Sequence, residues 1–115
     1  MPIDSLQALD IIEAMENFIE RRRPPENLRD QLDLSYRIEG QSIVVFEIRP
    51  RFNKPSVKLE CSIAKTTFVK AKNHWKIFWK RADLKWHSYG PAPTVNSIEE
   101  FVKLIEEDKY SCFWG

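Results

Sequence analysis

The spacing of apolar residues changes twice along this chain, and that change limits its fold more than any other feature. From Leu34 to about Tyr89 apolar side chains alternate with polar ones, as in Leu34, Tyr36 and Ile38 against Ser35 and Arg37. A period of two sends successive side chains to opposite faces of a strand. On both sides of this stretch the spacing is helical. Leu6, Leu9, Ile12, Met15, Phe18 and Ile19 form one stripe before it, and Ile98, Phe101, Val102, Leu104 and Ile105 form another after it. The expected class is α+β. An antiparallel sheet of four to five strands runs as a meander, with an N-terminal and a C-terminal helix packed on one face. At 115 residues the chain is expected to form a single domain over residues 1–115 with one modest core.

Local signals place the boundaries. Asp4 can cap the first helix, with Gln7 three residues on. The helix is expected to stop at Arg21-Arg22-Arg23-Pro24-Pro25, because residues before proline disfavour helical angles. Pro25 can open a short turn from Glu26 to Leu32. Gly40 suits a left-handed position in a three-residue hairpin loop, Glu39 to Gln41, which would set Leu34 opposite Phe46 and Tyr36 opposite Val44. The second strand runs from Ile43 to about Arg49 and ends at Pro50. Asn53-Lys54-Pro55 is a turn. Val57, Leu59, Cys61 and Ile63 mark a third strand, which bends and continues through Phe68 and Val69. After a turn at Lys72-Asn73, His74 to Lys80 is a fourth strand and Lys85 to Tyr89 a fifth, joined by Arg81 to Leu84. Gly90-Pro91-Ala92-Pro93 should break the sheet. Asn96 or Ser97 caps the last helix, with Glu99 or Glu100 behind it. The apolar tail, Tyr110 to Gly115, is expected to dock Phe113 and Trp114 on the core or a sheet edge, and its aromatics offer an alternative homodimer contact.

Charge is distributed as unevenly as the apolar residues. The whole chain carries a net +1, yet Glu47 to Tyr89 holds eleven Lys or Arg against Glu47, Glu60 and Asp83. Seven of the aromatics are interleaved there, and the two flanking segments are acidic. A segregated positive field serves an anionic partner. No stretch is long and apolar enough for a membrane span, and the first ten residues lack a basic region followed by an apolar one. Cys61 and Cys112 do not make a disulfide framework and are expected as free thiols. A cytoplasmic protein with no membrane association is expected.

The sharpest site candidate lies in the fourth and fifth strands. If Lys80 pairs with Lys85, then Trp75, Ile77, Trp79 and Trp86 share a core face. The other face carries Lys76, Phe78, Lys80, Lys85, His87 and Tyr89, with Arg81 in the connection and Arg49 and Arg51 extending the basic surface. Cations for phosphates and flat rings for bases are what a single-stranded nucleic acid requires of a sheet face. Another polyanion would use the same cations. The plain alternative is a solvated face that prevents edge aggregation. A one-residue slip in register would dissolve the set.

Other patterns are weaker. His87 with Lys85, Arg81 and Tyr89 could form an acid–base set for metal-independent RNA cleavage. Asp83 and His87 could share a metal, but there is no HExxH, no CxxC pair and no carboxylate cluster. No metal and no cofactor is therefore expected. His74 and His87 are otherwise read as hydrogen-bonded structural residues. Arg21-Arg22-Arg23 is either a phosphate or carboxylate clamp or a dipole-compensating end with an ion pair to Glu20 or Glu26.

Several strings carry a resemblance: Arg21-Arg22-Arg23-Pro24-Pro25-Glu26, Tyr36-Arg37-Ile38-Glu39-Gly40, Phe46-Glu47-Ile48-Arg49-Pro50-Arg51, Trp79-Lys80-Arg81-Ala82-Asp83-Leu84-Lys85-Trp86-His87 and Tyr110 to Gly115. With these, the chain resembles a bacterial family of small proteins classed as a domain of unknown function, from about Phe18 to the end. The resemblance implies a complete bacterial domain. It implies no activity, cofactor or catalytic residue.

Overall fold

The computed structural model describes residues 3–114. Helix α1 (Ser5–Arg22) is followed by a single 3₁₀ turn at Glu26–Leu28. Strands β1 (Asp33–Glu39), β2 (Ser42–Arg51), β3 (Lys54–Val69), β4 (His74–Lys80) and β5 (Trp86–Ser88) then form an antiparallel meander in that order. Strand β6 (Thr94–Val95) pairs with β4 beyond the end of β5, and helix α2 (Ile98–Glu107) closes the fold. The class is α+β, as the change of period requires. The sixth strand is additional: Gly90 to Pro93 interrupts the sheet, but the chain then rejoins it at Thr94 opposite Lys76 and at Val95 opposite Trp75.

The helix ends follow their sequence signals. Asp4 Oδ1 accepts the amide of Gln7 at 2.8 Å. Ser97 Oγ accepts the amide of Glu100 at 3.2 Å, and Glu100 Oε2 accepts that of Asn96 at 2.9 Å. Each contact satisfies an amide that the helix itself leaves without a partner.

One face of the sheet is the core. Ile11, Met15 and Phe18 of α1 and Ile98, Phe101, Val102 and Ile105 of α2 pack on Leu34, Ile43, Val45, Ala64, Trp75 and Ile77. The buried stripe of α1 is narrower than its spacing implied. Leu6, Leu9 and Ile12 are exposed, because the spacing of Ile11, Met15 and Phe18 turns another side of the helix to the sheet.

The first hairpin corrects the expected register. Glu39 pairs with Ser42, so the loop is Gly40-Gln41 alone, and Gly40 takes φ +59° at its first position. Glycine is the residue that reaches this conformation without strain. Leu34 therefore stands opposite Glu47, and Tyr36 opposite Val45. Val44 and Phe46 go to the face away from the helices.

A β-bulge then resets the parity of β3. Val45 pairs with Ala64 and Phe46 with Ser62, which leaves Ile63 without a partner on β2. The apolar alternation of Leu59 and Cys61 passes to Ala64, Thr66 and Phe68, and Lys65 turns to the open face.

The tail docks on the core. Phe113 is buried against Tyr89 with ring centroids 5.0 Å apart. Trp114 Nε1 donates to the Ile105 carbonyl at 2.6 Å. Asp108 ends α2 with a positive φ, and its carboxylate accepts the amides of Cys112, Phe113 and Trp114. Cys61 and Cys112 are free.

Candidate nucleic-acid interface

The helices cover one side of the sheet, and the other side carries Lys65, Lys76, Lys80, Phe78 and Trp86, with Arg37, Glu39 and Glu60 towards its far end. Pairing across β1 to β5 gives one row of Arg37, Val44, Lys65, Phe78 and Ser88. A neighbouring row holds Glu39, Ser42, Thr67, Lys76 and Thr94. Lys80 stands opposite Trp86 on the same side.

This pairing corrects the expected register of the last hairpin. Trp79 pairs with His87 and Phe78 with Ser88, one residue away from the arrangement that would have set Lys80 against Lys85. The connection is the cause. It runs over Arg81 to Lys85, with Leu84 at φ +62° and the Arg81 amide donating to the Lys85 carbonyl at 3.2 Å. Asp83 Oδ1 accepts the Lys85 amide at 3.0 Å, and Asp83 Oδ2 lies 2.8 Å from His87 Nε2. Such an aspartate bond to the backbone two residues on fixes a turn. These contacts, the Lys85 amide first and His87 next, hold the Asp83 carboxyl below the usual carboxylate range. Lys85 belongs to the turn as a result.

The candidate residues therefore separate. Lys76, Phe78 and Lys80 remain together on the open face. Lys85 and Arg81 lie in the exposed turn at its end, with Arg81 5.5 Å over the Trp79 ring. His87 lies on the helix side beside Trp79. Tyr89, 2% exposed, is a core residue packed on Phe113. Of the set His87, Lys85, Arg81 and Tyr89, the His87 ring and the Lys85 amide meet at Asp83 with Arg81 in the same turn, while Tyr89 is buried in the core. Arg49 pairs with Glu47 at 3.0 Å, and Arg51 lies near the tip of the β2–β3 hairpin.

Three residues join the face that the expected register had left out. Trp86 arrives by the one-residue shift, Lys65 by the bulge at Ile63, and Phe46 by the two-residue loop at Gly40. The Lys65 ammonium sits 5.5 Å from the centre of the Phe78 ring and 5.8 Å from that of Trp86. The Lys80 ammonium lies 5.4 Å from the Trp86 ring. At the other end Arg37 lies 5.0 Å over Phe46 and is held by Glu39 and Glu60. Among the described residues, Lys65, Lys76 and Lys80 form no ion pair with a carboxylate. The one available sequence signal was Asp83, whose short side chain before Lys85 is a turn former.

The triple arginine, by contrast, is used inside the fold. Arg21 bonds Glu106 at 2.6 Å, and Arg23 makes two bonds of 2.7 Å to Asp33. Arg22 lies 4.5 Å over the Trp114 ring. The three tie α1 to α2, to β1 and to the tail, rather than to Glu20 or Glu26. Among the described residues, no three His, Cys, Asp or Glu side chains gather as metal ligands. No helix there is long and apolar enough to cross a membrane.

The geometry defines a class: a small α+β domain with two helices packed on one face of an antiparallel meander. Within that class the chain belongs to the DUF3024 family, a domain of unknown function, which it matches over residues 3–115. No curated protein and no solved structure shows significant similarity to it.

Proposed function

We propose that this protein is a cytoplasmic binding module for single-stranded nucleic acid, and that the open sheet face is its binding surface. One observation carries the reading: Lys65, Lys76 and Lys80 share that face with Phe78 and Trp86 and, among the described residues, form no ion pair with an acid. An ammonium over an aromatic ring is held by about 0.5–1 kcal/mol at an exposed site. A nucleobase stacking on the same ring gains about 1–3 kcal/mol. The base can therefore displace the ammonium, which is then free to meet the adjacent phosphate. The surface has the two components such a ligand needs, and Lys65 and Lys80 already lie over its rings.

Fluorescence anisotropy with labelled single-stranded RNA, single-stranded DNA and duplex tests this. Binding is expected at low salt for the single strands and should weaken steeply as salt rises, because each neutralised phosphate releases counterions. The double substitution Lys65→Glu with Lys80→Glu should abolish it while circular dichroism stays that of the folded protein. Unchanged affinity in that variant, or no binding at low salt by the parent protein, would discard the reading.

A further inference from the structure

The β2–β3 hairpin carries a second feature that the sheet face does not use. Its tip is the two-residue loop Phe52-Asn53, closed by the pair Arg51 and Lys54. The Phe52 side chain is fully exposed. Arg51 and Lys54 stand directly opposite each other, and among the described residues neither forms an ion pair, although Asp30 lines the same notch as Arg51; Glu47 and Glu60 are taken by Arg49 and Arg37. Like charges facing across a strand pair destabilise it. A phenyl ring wholly in water contributes no burial to the fold. The tip thus holds one repulsive pair and one large ring that adds nothing to the stability of the fold. Pro50 and Pro55 bracket it, each fixing its own φ, and residues 55–57 of β3 stand without a β2 partner between the Pro50–Lys58 and Arg51–Lys54 pairs. At its base the Lys58 ammonium donates to the Asp30 carbonyl at 2.7 Å and anchors the hairpin to the segment before β1. Phe52 forms one wall of a notch whose other walls include Gln31, Pro50 and Pro55.

We propose that this hairpin is a second contact for single-stranded nucleic acid, in which Phe52 stacks on a base while Arg51 and Lys54 take the phosphates on either side. The class of partner rests on the reading given to the sheet face. The tip itself supplies the chemistry: a flat ring accessible from both sides, flanked by two cations that form no ion pair among the described residues. The two sites have β2 and β3 in common, with Phe46 and Lys65 on the face and Arg51 and Lys54 at the tip.

The test uses a short single-stranded oligonucleotide containing 2-aminopurine, whose fluorescence reports base stacking, alongside anisotropy for affinity. Phe52→Ala should bind roughly tenfold more weakly and lose the fluorescence change on binding. Arg51→Gln with Lys54→Gln should lower the slope of log affinity against log salt by about two. None of these side chains packs in the core, so the variants should fold. Unchanged affinity and fluorescence in Phe52→Ala, with binding still lost in the Lys65 and Lys80 variant, overturns the hairpin contact and leaves the sheet face standing. Loss in the hairpin variants alone supports the hairpin and removes the sheet face. An oligonucleotide that the parent protein does not bind at low salt overturns both.

Discussion

Lys80 stands directly opposite Trp86 across the β4–β5 hairpin, with its ammonium 5.4 Å from the centre of the indole ring. This pair defines which side chains share the open face. Every second residue of β4 and β5 follows from it, and so does the separation of Lys85, His87 and Tyr89 from Lys76 and Phe78.

The pairing makes Lys80 and Lys85 unequal. Lys80→Glu reverses a charge over the ring and should lower affinity for a single strand by about tenfold at low salt. Lys85→Glu, in the turn, should change it by no more than about twofold. Anisotropy titrations of the two single variants check this, and equal losses would place the contact at the turn.

Trp86 and Tyr89 should part in the same way. Trp86→Ala removes a stacking surface from the open face and should weaken binding by roughly 1–2 kcal/mol. Tyr89→Ala empties a core position beside Phe113 and should cost about 3–4 kcal/mol of stability. Urea unfolding and binding measured on both variants separate the two roles.

Asp108 holds the tail through three backbone amides. Asp108→Ala leaves those donors without their acceptor, and should destabilise the protein by about 2 kcal/mol. It should also expose Phe113 and Trp114. A lower urea midpoint with a red-shifted tryptophan emission is the expected result.

The Arg23–Asp33 pair gives a pH dependence of definite sign. The two hydrogen bonds from Arg23 hold the Asp33 carboxyl below its ordinary value of 3.8, and burial works against them. A lowered folded-state pKa contributes stability above the unfolded value that is lost as pH falls through the folded one. Asp33→Asn should therefore cost about 1 kcal/mol near neutrality, a modest figure because Arg23 is partly exposed. The difference in melting temperature from the parent should shrink as pH falls below the ordinary carboxyl value and vanish once it lies below the lowered folded-state one. A difference independent of pH would assign the effect to packing.

Elements and their caps were legible because their causes lie within a few residues. Asp4 with Gln7 and Ser97 with Glu100 are local bonds. The switch from helical spacing to alternation around Leu34 and back after Tyr89 names the α+β class by itself. Docking of Phe113 and Trp114 followed from an apolar tail that water disfavours. The partners of Arg21, Arg22 and Arg23 were not legible: Glu106, Trp114 and Asp33 reach them only once the chain has closed on itself.

What the sequence determined by itself was the order of elements apart from β6, the core face of α2 and the concentration of cations and rings between Glu47 and Tyr89. Only the tertiary structure decided which of those cations and rings meet. Three single-residue shifts did so: the loop shortened to Gly40-Gln41, the bulge at Ile63 and the turn held by Asp83 through Lys85. The physical reason is the period of the strand. A side chain changes face with every residue, so one residue more or less in a turn or bulge moves Lys65 and Trp86 onto the open surface, sets the buried Phe46 on that side, and takes His87 and Tyr89 off it, while the composition of the strands stays the same.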